Sequence, residues 1–252
     1  MSRCAAVVLL VLATGCNRAP GTAPKPEVDV AAAANLSEVF KQIGPQFEAQ
    51  TGIHPLFSFG STVQLTRQIE NAAPFDIIAA ADSVHVDDLD RQGLLLPGSR
   101  AVYAVGVLAL WIPAGGEVKV DRLEDLTRPE VRAIAVAKPD LAPYGRAAVE
   151  TLERAGLWEK VKPKIVYAEN ISMAKQYGMS KNADAVFTAY SLVLKESGKV
   201  IRVEERLHRP ITQELGIVAA SRHTRAARAF ADYLLNGNGR DALRAYGYAV
   251  RP

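Results

Sequence analysis

The sequence predicts an α/β protein of two lobes, with mostly parallel sheets flanked by helices and two chain crossings between the lobes. Three observations predict it. Short apolar strand signals alternate with helical periodicities along most of the chain. Two long strand signals, near residues 101–112 and 212–220, bracket a middle stretch that repeats the alternation. The length, 252 residues, suits two lobes of about 100 residues each. The expected division is 28–106 with 217–252 for the first lobe and 107–216 for the second. A cleft between lobes is where small ligands tend to bind.

The chain opens on an address. Residues 1–16 read MSRCAAVVLLVLATGC: a positive start at Arg3, an apolar run from Ala5 to Ala13, then small residues and Cys16. The run is shorter than the roughly 20 apolar residues that span a bilayer, so residues 1–15 read as a signal peptide. A cysteine directly after small residues resembles the lipobox of bacterial lipoproteins, which implies cleavage before Cys16 and lipid on its thiol. The other reading is a plain signal peptide with an incidental cysteine. Residues 16–27, rich in Pro, Gly and small residues, form a tether. Together these describe a soluble domain held at a membrane surface.

The first lobe follows. Val28–Val30 is a strand running into an Ala stretch. Leu36, Val39, Phe40, Ile43 and Phe47 then fall at helical spacing. Gly44-Pro45 is expected to kink or split that helix, and Gly52 to end it. Pro55–Phe59 is a strand, Thr62–Asn71 a helix, and Phe75–Ala80 a buried strand. Asp82 or Ser83 caps a helix to Gln92, with Gly93 at its end. Ala101–Ile112 is one long strand signal. In the second lobe, strands at Ala133–Ala137, Ile165–Tyr167, Ala185–Thr188 and Val200–Val203 alternate with helices at Gly145–Ala155, Ile171–Tyr177 and Ser191–Glu196. Glu214–Ala220 is the second crossing strand. Helices Thr224–Leu235 and Arg240–Tyr246 close the chain.

Composition excludes several classes. Hydrophobic residues at 49% and charged residues at 23% are ordinary globular usage, unlike disordered or multi-span membrane chains. Net charge is +3 and basic residues form no tract, so no nucleic-acid partner is expected. The two cysteines are Cys4 and Cys16, so the rest of the chain holds no disulfide, Cys-based metal site or catalytic thiol. The histidines, His54, His85, His208 and His223, lie far apart in the sequence, and none is expected to have an i, i+4 partner or a nearby acidic ligand pair. Asp87, Asp88 and Asp90 read as a solvated helix face. No nucleophile elbow, phosphate loop or dinucleotide fingerprint appears. Binding is therefore expected, rather than catalysis, with no cofactor and no directly ligated metal cation.

What is present is a set of strand-to-helix junctions rich in small and hydroxyl residues. Asn35 precedes Leu36, Ser61 and Thr62 precede Val63, Tyr144-Gly145 follows the 139–143 loop, and Asn170 precedes Ile171. Singly, such residues are ordinary caps. Converging on one cleft, helix starts with free N–H groups and partial positive charge bind an anion without a charged side chain.

Five segments carry a family resemblance: AAAANLSEVF (31–40), FGSTVQLTRQIENAAPFDIIAAAD (59–82), APYGRAAVETL (142–152), AENISMA (168–174) and AYGY (245–248). From about Val28 to the C-terminus the chain resembles the periplasmic molybdate-binding proteins of ABC transporters. The resemblance implies a type II periplasmic binding protein fold and a monomer, to which the lipobox resemblance adds a lipid anchor. It also implies delivery of molybdate, or tungstate, to a membrane permease, from the periplasm or the outer face of the cytoplasmic membrane. It assigns the ligand contacts to Asn35, Ser61, Thr62, Tyr144, the backbone of Ile171, and Thr188. Relatives often carry Tyr at position 188, so the fifth contact falls to Thr188, Tyr190 or Tyr144. Arg67 is expected at the surface or bridging lobes. A donor-only site rejects a protonated oxyanion, whose O–H would lack an acceptor at a cost of roughly 1–3 kcal/mol. Longer metal–oxygen bonds then separate molybdate and tungstate from sulfate. The competing readings are a binder of sulfate or phosphate, a receptor reporting anion levels, and an enzyme using Tyr144 or Asp76.

Overall fold

A computed structural model describes residues 25–116 and 118–250. The signal peptide expected at 1–15 and the Cys16 lipid site lie outside them. The first lobe opens with β1 (Glu27–Ala33), α1 (Ser37–Thr51), β2 (His54–Gly60), α2 (Thr62–Glu70), β3 (Ile77–Ala79), α3 (Val84–Arg91) and β4 (Ala101–Gly106). The second lobe holds β5 (Leu108–Pro113), β6 (Ile134–Ala137), α4 (Pro143–Arg154), α5 (Trp158–Val161), β7 (Ile165–Ala168), α6 (Ile171–Met179), β8 (Ala185–Ala189), α7 (Tyr190–Val193) and β9 (Gly198–Arg202). The chain returns to the first lobe with β10 (Ile211–Ile217), α8 (Thr224–Leu235) and α9 (Asn238–Ala245).

Each lobe is built on a five-stranded sheet, ordered β2-β1-β3-β10-β4 and β7-β6-β8-β5-β9. Both are mixed: in each, four strands share one direction and one runs against them. β1, β2 and β3 run parallel, as do β6, β7 and β8, but β10 and β5 pair antiparallel with both of their neighbours. The antiparallel strands are the ones that follow the crossings. A strand entering from the other lobe has no crossover helix to return it to the parallel sense.

The expected single strand at 101–112 is two strands. β4 pairs with β10 in the first sheet, β5 pairs with β8 in the second, and Val107 alone separates them. The second crossing lies earlier than residue 216, because β10 pairs along its length with β3 and β4 and so belongs to the first sheet. Its polar start, Thr212-Gln213-Glu214, hides the strand from a hydrophobic pattern. Gln213 and Glu214 are nevertheless buried against partners.

The helix at 37–51 is not split at Gly44-Pro45. An internal proline costs about 3 kcal/mol. Val39, Phe40, Ile43 and Phe47 are all fully buried on one face of α1, each contributing roughly 1.5–3 kcal/mol. That sum outweighs the proline. Phe230 of α8 meets Phe40 and Phe47 edge-on, at ring separations of 5.7 and 5.1 Å. Gly44 is required there, since a Cβ would stand 2.9 Å from the Phe57 ring. Gly52 closes α1 in the left-handed conformation. Two further bounds move: α4 begins at Pro143 rather than Gly145, and α7 spans Tyr190–Val193 rather than reaching Glu196.

Candidate functional site

The site is assembled from the ends of parallel strands. After β1 the chain makes a 3-10 turn, Ala34–Leu36, that places Asn35 inside it rather than at a helix cap. Asn35 is 1% exposed. Its side-chain Nδ2 donates to Gln213 Oε1 and to the Tyr248 hydroxyl, both at 2.9 Å. Its carbonyl accepts from Tyr248 at 2.8 Å and from Ser191 at 3.1 Å. The Asn35 amide therefore holds the site together and is not a free donor.

Ser61 caps α2 in a reciprocal box with Gln64. Its hydroxyl donates to Gln64 Oε1 at 2.9 Å and accepts the Gln64 N–H at 3.4 Å, so it is turned to its own helix. Thr62, 1% exposed, is different. Its Oγ1 accepts the Ala81 N–H at 3.0 Å, which leaves its own proton to donate. Tyr144 is the second residue of α4 and 2% exposed. Its hydroxyl accepts from Gln213 Nε2 at 2.9 Å. Burial, with Tyr248 beside it, pushes the phenol well above its ordinary pKa, so it stays protonated. Gly145 lets α4 start against β6: a Cβ there would fall 2.0 Å from the Ala137 carbonyl. Ile171 begins α6, which Asn170 caps by accepting the Met173 N–H at 3.0 Å.

Four of these starts meet across the lobes. Ser172 of α6 donates to the Ala34 carbonyl at 2.9 Å. Val63 N–H of α2 reaches the Leu141 carbonyl before α4 at 3.3 Å. Gln213 joins Asn35 to Tyr144. Thr188 lies on the face of β8 it shares with Val186, towards α6. Its hydroxyl is fully buried and has no partner. Tyr190 is engaged by other groups: the Arg202 guanidinium lies 4.0 Å over its ring, and Gly247 also packs against the ring. Flanking cations are engaged with carboxylates, Arg146 with Asp82 at 3.4 Å and Lys175 with Glu196 at 2.6 Å. Arg67 is exposed on α2. A cavity of about 140 Å³ opens beside this seam, between Asp82–Val84 and α4.

Sequence reading missed Gln213, Tyr103, Tyr248 and Ser191, which form the floor of the site. Gln213, fully buried, takes the Tyr103 hydroxyl at 2.8 Å as well. The available signal was slight: Gln213 sits in a polar triplet, Thr212-Gln213-Glu214, between Ile211 and Leu215. The separation of His223 from acidic pairs is also corrected: Asp29, Asp76 and His223 offer ligand atoms within 4.8 Å of one another. Asp76 is saturated by donors from Asp29, Ser221 and His223. It acts as a cap that ties β1 to the start of α8.

Residues 28–249 match the family model described as bacterial extracellular solute-binding protein. The molybdate-binding protein ModA of Azotobacter vinelandii is 37% identical over 96% of this chain and 97% of its own. That of Rhodobacter capsulatus is 35% identical, over 89% and 88%. The solved Azotobacter vinelandii periplasmic molybdate-binding protein superimposes with a TM-score of 0.85 at 30% identity, covering 89% of this chain and all of that one. With its two lobes, two crossings and matched length, the chain belongs to the bacterial extracellular solute-binding protein family.

Proposed function

We propose that the chain is the substrate-binding component of an ABC transporter and captures molybdate between its lobes. The observation that carries this reading is the meeting of uncharged helix starts from both lobes, in a chain whose relatives are molybdate-binding proteins. Thr62, Tyr144 and the N–H groups at Ile171 supply donors. The buried, unpartnered Thr188 hydroxyl supports a fifth. Asn35 and Ser61 hold the frame. Such a set favours a fully deprotonated oxyanion, tungstate with molybdate, over protonated phosphate. The ligand bridges both lobes and so selects the closed state, which a permease reads. Lipid on Cys16 would keep the binder close to that permease. The function is capture, without turnover.

Thermal unfolding of the chain with molybdate, tungstate, sulfate or phosphate tests this. A ligand at about a thousand times its Kd stabilises by roughly 4 kcal/mol, an evident shift of the midpoint. Molybdate and tungstate are expected to raise the midpoint and the other two to leave it unmoved. A shift with sulfate or phosphate instead would reassign the ligand.

A further inference from the structure

The hydrogen bonds under the cleft have a direction, and it ends on Tyr144. The anchor is the Asn35 carbonyl, which can only accept. The Tyr248 hydroxyl donates to it at 2.8 Å. Having one proton, Tyr248 then meets the Asn35 side chain as an acceptor, so Asn35 presents Nδ2 there, at 2.9 Å. The same Nδ2 faces Gln213, which must therefore turn Oε1 towards it, at 2.9 Å. Tyr103 shares its one proton between that oxygen, at 2.8 Å, and the Ala80 carbonyl, at 2.9 Å, so it is the Asn35 amide that sets the orientation of Gln213. With Oε1 so placed, Nε2 is left for Tyr144, at 2.9 Å. The Tyr144 oxygen accepts, and its proton has to go elsewhere.

A second observation concerns the same atoms. Gly106, the last residue of β4 before the crossing, lies against this contact. A Cβ on it would fall 2.1 Å from the Tyr144 oxygen and 2.5 Å from Gln213 Nε2. The crossing residue thus lacks a side chain where the hydroxyl and the amide are seated.

We propose that Gln213 is a positioning residue that fixes the polarity of the Tyr144 hydroxyl, making it an obligate donor to a deprotonated oxyanion, with Gly106 leaving the space in which it does so. The proposal rests on the binding function proposed above. Without Gln213, the Tyr144 O–H could turn inwards to an acceptor and present lone pairs to the ligand. With it, the site shows a proton to any oxyanion and offers no acceptor to a protonated one. Gln213 does this from a fully buried position in the first lobe, on a tyrosine of the second. Donor polarity at the cleft is therefore set only when the lobes meet.

The test is Gln213→Glu in the full chain, with molybdate affinity followed by titration calorimetry between about pH 8.5 and 6 beside the unaltered protein. The glutamate accepts the Tyr144 proton and reverses the bond. A hydrogen bond to a charged ligand is worth roughly 1.5–3 kcal/mol, so affinity at pH 8.5 is expected to fall by about tenfold to a hundredfold. Affinity should return in part as the pH falls and the carboxyl becomes a donor. In a Tyr144→Phe background the same change should cost little more, since both act through one hydroxyl. Affinity unchanged across the pH range overturns the proposal. So does a loss with no recovery at low pH that adds fully to Tyr144→Phe. Should the glutamate chain not fold, Gly106→Ala carries the test: its methyl displaces the hydroxyl, and an affinity equal to that of the unaltered protein overturns the proposal. If the unaltered chain itself fails to bind molybdate, it is the proposed function that falls, which is a separate outcome.

Discussion

A buried hydroxyl without a partner is an expense that a fold keeps only for a reason. Thr188 carries one, fully buried at the end of β8. Removing an unsatisfied polar group while keeping the shape recovers roughly 1–3 kcal/mol. Thr188→Val is therefore expected to raise the unfolding midpoint of the ligand-free protein. If an oxyanion oxygen completes Thr188, the same change should shrink the extra stabilisation that molybdate brings. A lowered ligand-free midpoint would show that the hydroxyl has a partner already. At this scale the sequence was informative where chemistry is local. Thr62, Tyr144 and Ile171 stand at helix starts, and helix starts announce themselves through residues one or two positions away. Gln213 and Tyr248 were not legible, because their bonds to Asn35 span 178 and 213 positions. Asn35 itself is legible, but its amide reads as a donor to a ligand until those two partners are known.

Elements show the same division between local and distant causes. The 3.6-residue periodicity of 36–47 is sufficient to find α1, and proline punctuation alone misjudges it, because burial against Phe57 and Phe230 decides its continuity. The break at Val107 is invisible in an apolar run, since only pairing assigns β4 and β5 to different sheets. Asp76 is the clearest case of elements joined by one side chain. It accepts from the Asp29 N–H of β1 at 2.8 Å, from Ser221 at 2.7 Å, and from the His223 ring before α8 at 3.1 Å. Burial pushes its carboxyl up, but these donors outweigh it and hold the pKa below the ordinary value of 3.8. Neighbouring Asp29 is pushed the other way, first by burial and then by Asp76. A depressed carboxylate contributes stability that is full above its unfolded pKa and lost as pH falls through the folded one. The tie between β1 and α8 should therefore hold at neutral pH and fail in acid, below the usual aspartate range. Asp76→Asn is expected to lower stability at pH 7 and to flatten its decline between about pH 4 and 2. An acid limb as steep as that of the unaltered protein, followed by chemical denaturation at each pH, would assign the acid sensitivity to other groups.

For the whole molecule, the question is what holds the lobes together and how much of it is ligand. Direct contacts span the cleft: Ser172 to the Ala34 carbonyl, Val63 to Leu141, Gln213 to Tyr144, and the ion pair Arg146–Asp82 at 3.4 Å. A ligand shifts such an equilibrium only by its differential affinity for the closed form. Contacts that form on closure assist it in the same way. Arg146 is about a third exposed, and its partner Asp82 also receives His85, so the pair is screened and shared. Exposed pairs contribute up to about 1 kcal/mol. Arg146→Gln is thus expected to weaken molybdate binding by no more than about fivefold at low salt. The difference should vanish towards 1 M salt, where the screening length is about 3 Å. The size of the effect discriminates between two roles for this cation. A modest, salt-sensitive loss places Arg146 on the closure equilibrium alone. A loss of a hundredfold or more that persists in salt would make Arg146 a direct partner of the anion, and the site would then select by charge rather than by neutral donors.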